Sequence, residues 1–153
     1  MTARAGAAPD DRDALAALAP LLLFDGGCGL CDRAVRFTFA HDRAATIRAA
    51  PLEGTTAARV LAAFPAVRDV DSVLLLERDV AGRAVVHVRS DAALAVARRL
   101  GMPWAALAAI ARLVPRPLRD LVYRGVARVR HRIFGRVDAC VLPDPAWRAR
   151  LLP

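Results

Sequence analysis

The chain has 153 residues, 56% of them hydrophobic, and a formal net charge of +8 at pH 7. That length suits one domain able to bury a core without a disulfide or metal staple. Its 23 basic residues are all Arg, which excludes a lysine-dependent phosphate loop and Schiff-base chemistry.

Residues 1–19 read as a polar leader, partly disordered, ending in a short helix over residues 11–18. Asp10, Asp11 and Asp13 stand where a signal peptide would have its apolar core. No run of about 18 uncharged apolar residues follows, so the chain is read as cytoplasmic. The apolar run Leu21–Asp25, bounded by Pro20 and Gly26-Gly27, predicts a buried strand. Cys28-Gly29-Leu30-Cys31 then opens a helix to about His41, its inner face drawn from Leu30, Ala34, Val35, Phe37 and Thr38. A weaker strand is expected over residues 45–49, and a helix over residues 55–64, ended by Pro65.

Residues 72–77 and 84–89 form a hairpin around Asp79 and Gly82. Ser90 is placed to cap the following helix, which turns Ala93, Leu94, Ala97 and Leu100 inward and closes at Gly101. Pro103 suits the first position of a helix over residues 104–114. The last long helix begins near Pro117. There Leu118, Leu121, Val122, Gly125, Val126, Val129 and Ile133 follow helical spacing and predict one buried stripe. Trp104 and Tyr123 read as packing aromatics. Residues 135–153 read as irregular with a short final helix.

The order β-α-β-α-β-β-α followed by helices is that of a thioredoxin-like α/β fold: a four-stranded mixed sheet flanked by helices, with a C-terminal helical extension. Residues 20–102 form the core, and residues 103–153 a basic extension packed on it, in one domain overall. Residues 98–153 hold 12 Arg and three acids, while residues 1–97 hold 11 Arg and 12 acids. Such a basic third is most simply a solvated helical face. It also allows weak electrostatic contact with an acidic partner or a membrane surface; nothing in the chain argues strongly for nucleic acid.

The chemistry concentrates at Cys28 and Cys31. A helix N-terminus presents unpaired N–H groups that favour thiolate over thiol. In a reducing compartment this spacing is more often catalytic or metal-binding than a fixed crosslink. Cys28, the first of the pair, is expected to be the more exposed and to be the nucleophile, with Cys31 resolving the mixed disulfide. Lowering the Cys28 pKa from about 8.5 to about 7 takes roughly 2 kcal/mol, and a helix terminus supplies about 0.3–1 kcal/mol. Backbone N–H groups, or a cation such as Arg33, must add the rest. Asp25 serves either as a proton relay to Cys31 or as a turn carboxylate holding Gly26 and Gly27. Gly26, Gly27 and Gly29 let the backbone turn tightly. Cys140 is either a second resolving thiol or, more simply, a small apolar residue.

Asp25-x-x-Cys28-x-x-Cys31 after an apolar strand resembles the signature of the DCC family of predicted thiol-disulfide oxidoreductases. The resemblance continues through Arg89-Ser90-Asp91-Ala92-Ala93-Leu94, Leu100-Gly101-x-Pro103-Trp104, Val114-Pro115-Arg116, Arg119-Asp120-x-Val122-Tyr123, Phe134-Gly135-Arg136 and Cys140-x-Leu142-Pro143. It implies dithiol exchange with a disulfide-containing protein or small-thiol partner, without a cofactor or metal. It also implies that Ser90 and Asp91 lie in a loop near the cysteines. Thioredoxins place a cis-proline before the third strand; here Asp71-Ser72 stands there. Two other readings compete. In one, zinc is held by Cys28 and Cys31 with Cys140 and one of His41, His87 or His131. In the other, the chain is a non-enzymatic binding module that uses the basic helices.

Overall fold

The computed structural model describes residues 2–4, 9–70, 72–135 and 144–153, with side chains from residue 13 onward. The strands are β1 (Thr2–Arg4), β2 (Leu21–Phe24), β3 (Arg48–Pro51), β4 (Leu74–Arg78) and β5 (Ala84–Val88). The helices are α1 (Pro9–Leu18), α2 (Gly29–His41), α3 (Thr55–Ala63), α4 (Arg89–Arg99), α5 (Trp104–Ala111), α6 (Arg116–Phe134) and α7 (Pro145–Arg148).

Helix α2 is the crossover that lets β2 and β3 run parallel. β4 pairs antiparallel with both β2 and β5, which gives the expected four-stranded mixed sheet. The leader adds a fifth strand that the hydropathy pattern does not mark: β1 lies antiparallel on β5, in the order β1-β5-β4-β2-β3.

Both sheet faces are covered, so β2 reads as an unbroken apolar run. Its alternation sends Leu21 and Leu23 to one core with Val60, Phe64, Leu74, Leu76 and Val86. Leu22 and Phe24 go to the other, with Cys28, Cys31, Val35, Phe39 and Leu75. The dithiol is therefore part of the second core. Phe39, not Phe37, fills that core from α2.

Several elements depart from expectation. β3 begins three residues late because Ala45 takes a left-handed backbone (φ 51°) and buried Asp42 accepts the N–H of Ile47 at 2.7 Å. Arg150 reaches the same carboxylate, and Leu151 bridges to Ala49, so the C-terminal tail docks on the open edge of β3. α5 stops at Ala111. Ser90 does not cap α4: the helix starts one residue earlier, and the Ser90 hydroxyl donates to Asp120 of α6.

The largest departure is α6. The expected buried stripe faces outward, with Leu118, Leu121, Val122, Val126, Val129 and Ile133 all exposed. The face turned to the core is polar. Arg119 pairs with Asp91, Asp120 accepts from Ser90, Tyr123 accepts from Val73, and Arg130 pairs with Asp25. Directed polar bonds, rather than hydropathy, set the helix phase.

Across β4 and α4, Glu77 lies within 2.9 Å of His87 and accepts from Arg99. Burial alone would raise its pKa, but the hydrogen bonds from His87 and Arg99 outweigh it and hold the carboxyl below its usual range. A folded pKa below the unfolded one stabilises the native state above pH ~4.5, and that stabilisation is lost as pH falls through the folded value. Glu77→Gln is expected to cost about 1–3 kcal/mol at pH 7. The gap to wild type should narrow toward pH 3 in urea unfolding; a gap independent of pH would refute the ionic role.

Candidate active site

The site is built where β2 turns into α2. Asp25 Oδ1 accepts the N–H of Gly27 at 2.9 Å, and Cys28 N–H donates to the Asp25 carbonyl at 3.3 Å. This turn delivers Cys28 to the N-cap of α2, where its Sγ accepts the N–H of Cys31 at 3.3 Å. The sulfur thus fills the position of a capping oxygen. Cys31, one turn on, has its thiol pushed up to about 12 by burial first, then by its hydrogen bond to Cys28 and the charge there. The Arg130 charge and the Asp25 backbone oppose this rise. Cys31 is the thiol that keeps its proton.

The cation beside the dithiol comes from α6, not α2. Arg33 stands over the Phe134 ring, 5.5 Å from its centre. Buried Arg130, 105 positions from Asp25 in sequence, places Nη2 3.0 Å from Asp25 Oδ2. The next residue, His131, accepts from Arg130 Nε at 3.2 Å and lies 3.7 Å from the same carboxylate oxygen. One ligating atom each of Asp25, Cys28 and His131 falls within 4.8 Å of the others. Such a trio could hold a metal. The guanidinium on Asp25, however, already supplies the local positive charge. Of the other histidines weighed as ligands, His41 bonds the Phe37 carbonyl and His87 bonds Glu77. Cys140 lies outside the described residues.

Asp25 Oδ1 thus holds the turn, and Oδ2 pairs with Arg130. Ser90 and Asp91 bind α6 rather than the cysteines. Asp91 takes both Arg116 and Arg119, so the family-like motifs on α4 and α6 form one latch.

Neither sulfur is open to solvent: Cys28 is 0% exposed and Cys31 5%, so Cys28 is not the more accessible one. The end of α6 covers it. Gly29 N–H donates to the Gly135 carbonyl at 3.3 Å, and a Cβ on Gly29 would collide with the Phe134 carbonyl oxygen. Gly29→Ala is expected to cost about 1–3 kcal/mol and, by displacing the α6 terminus, to speed alkylation of Cys28 at least tenfold. Unchanged alkylation measured by mass spectrometry would show that the α6 end is not the cover.

Beside Cys31 lies an apolar cavity of about 310 Å³, lined among others by Leu30, Phe37, Val73, Trp104, Tyr123 and Arg130. Val73, just before β4, is in the wall of this cavity, and its N–H donates to the Tyr123 hydroxyl at 3.0 Å. The sequence reading missed Arg130 and Tyr123 as site residues and weighed His131 only as a zinc ligand. One signal was present: along α6, Arg119, Tyr123 and Arg130 share a face with Asp120, whereas Arg124, Arg128 and Arg132 form an all-basic strip.

A C-x-x-C at the mouth of a helix, after an interior strand of a mixed sheet with helices on both faces, defines a thioredoxin-like dithiol protein. Residues 22–136 match the DCC1-like thiol-disulfide oxidoreductase family, and the chain belongs to that family. It is 36% identical over 135 residues to the uncharacterized protein YuxK of Bacillus subtilis (strain 168), spanning 87% of this chain and 93% of that one. It is 35% identical over 124 residues to the DCC family protein At1g52590, chloroplastic, of Arabidopsis thaliana, spanning 80% of this chain and 69% of that one. No solved structure matches it.

Proposed function

We propose that the chain exchanges a Cys28–Cys31 dithiol with the disulfide of a protein or small-thiol partner. The observation that carries this reading is the asymmetry of the pair: Cys28 Sγ caps the helix, while Cys31 is held as a thiol with its pKa pushed up to about 12.

The Cys28 thiolate attacks one partner sulfur. A Cys28–S bond forms, the partner S–S bond breaks, and the leaving sulfur takes a proton. Cys28 then no longer carries the charge or accepts the hydrogen bond that kept Cys31 protonated. Burial remains, but the Arg130 charge now acts on Cys31 without the Cys28 charge against it. Cys31 gives up its proton, for which His131, clustered with Cys28 and Asp25, is the proposed acceptor, and attacks Cys28. The internal disulfide forms and the second partner thiol leaves. Two electrons and two protons pass to the partner; run backwards, the same steps oxidise a partner dithiol.

Access requires the α6 terminus to lift from Gly29. Among the described residues, the contacts that resist this include the 3.3 Å Gly29–Gly135 hydrogen bond, worth about 0.5–1.5 kcal/mol, the Arg33–Phe134 cation–π contact and the Arg130–Asp25 pair. The apolar cavity beside Cys31 would then receive an apolar group flanking the partner's disulfide.

The test is redox equilibration with glutathione followed by mass spectrometry. The expected result is a reversible loss of two mass units located in the Cys28–Cys31 peptide, with a defined midpoint. A pair that stays reduced at every glutathione ratio, or stoichiometric zinc released by Cys28→Ser, would refute the proposal.

A further inference from the structure

A soluble helix normally turns its apolar stripe to the core, and α6 does the reverse. Its polar face is consumed by Asp25, Val73, Ser90 and Asp91, leaving Leu118, Val122, Val126, Val129 and Ile133 pointing outward at helical spacing. α5 and the turn after it add exposed apolar residues of their own, Leu107, Ile110 and Leu113 at 53%, 64% and 83%. An exposed apolar stripe of this length marks an interaction site.

The charge at its border indicates the occupant. Arg124, Arg128 and Arg132 recur every four residues along α6, forming an exposed basic strip beside the apolar one, and Arg112 stands exposed at the end of α5. Asp120, the only acid of α5 and α6, faces the core against Ser90. A second copy seated on this face would bring arginine against arginine with no exposed carboxylate on either helix to receive it. An anionic lipid surface accepts both parts at once: acyl chains take the apolar stripe and headgroups take the guanidinium strip. Among the described residues no helix is long and apolar enough to cross a membrane, so the contact is interfacial.

We propose that the α5–α6 face docks the protein on the surface of an anionic lipid bilayer. Val126 belongs both to this face and to the wall of the cavity beside Cys31, so docking would bring the dithiol site to the lipid boundary.

The test is co-sedimentation with phosphatidylcholine vesicles prepared with and without phosphatidylglycerol. Binding should be at least ~10-fold tighter with the anionic lipid. The Arg124→Gln, Arg128→Gln, Arg132→Gln triple variant should lose that preference. Val122→Gln with Val129→Gln, two changes on the outward face, should weaken binding to the anionic vesicles at least ~10-fold. All variants should exchange disulfides in solution at the wild-type rate, which separates this test from that of the dithiol. Three results would overturn the proposal: no vesicle binding, binding that ignores the valine changes, or a concentration-dependent dimer in ultracentrifugation that the valine changes abolish while vesicles are left unbound.

Discussion

A Cys28→Ser variant is expected to lose disulfide exchange by about a thousandfold or more, whereas Cys31→Ser should complete the first step and stall as a mixed disulfide. The inequality follows from the two environments. A thiol with a pKa of about 12 is ionised in only about three molecules per hundred thousand near pH 7.5, against roughly one in ten for an ordinary cysteine. Burial, the largest cause of that rise, persists when Cys28 is replaced by Ser, so Cys31 attacks an outside disulfide far more slowly than Cys28 does. Removing Cys31 leaves Cys28 at the helix N-cap, able to attack but with no neighbour to release it. Mass spectrometry after treatment with a small aromatic disulfide should find the adduct on Cys28 of the Cys31→Ser protein and none on Cys31 of the Cys28→Ser protein. Adducts of equal yield on both would end the assignment of roles. The raised Cys31 value has its own consequence. It lies above the unfolded value of 9.0, so the group favours the folded state below that pH, and the benefit drains away as pH climbs toward 12. Cys31→Ser should accordingly flatten the alkaline loss of stability.

Arg130→Gln should lower stability by about 2–4 kcal/mol and lengthen the life of the mixed disulfide about tenfold. The arginine is buried, and its partner Asp25 is three-quarters covered, so deleting the cation strands a carboxylate where water reaches it poorly. The same deletion removes a charge that favours ionised Cys31. A purely structural role would lower stability and leave resolution chemistry alone, so the lifetime of the mixed disulfide against pH is the discriminating readout: its profile should move to higher pH. Asp25→Asn combined with Arg130→Gln should recover part of the lost stability, since the stranded charge is gone. Strict additivity of the two changes, or an unshifted profile, would show that the pair is not coupled to the dithiol.

The chain by itself determined the four strands β2–β5 and its reactive pair. Leu21–Phe24 could only be a strand covered on both faces. The turn at Asp25-Gly26-Gly27 could only deliver Cys28 to a helix start, and Asp79 with Gly82 fixed the hairpin between β4 and β5. These are local decisions, made by side-chain period and backbone freedom within a few residues. Tertiary structure decided the phase of α6. Hydropathy pointed Val122 and Val129 inward, but Asp25, Ser90 and Asp91, distant in sequence, offered partners to Arg130, Asp120 and Arg119, and buried charges left unpaired cost more than valines left in water. That rotation brought Arg130 and His131 to the cysteines, laid the α6 terminus over Cys28, and turned the apolar stripe outward. None of these follows from the helix's own pattern, because each depends on which groups wait on the surface it meets.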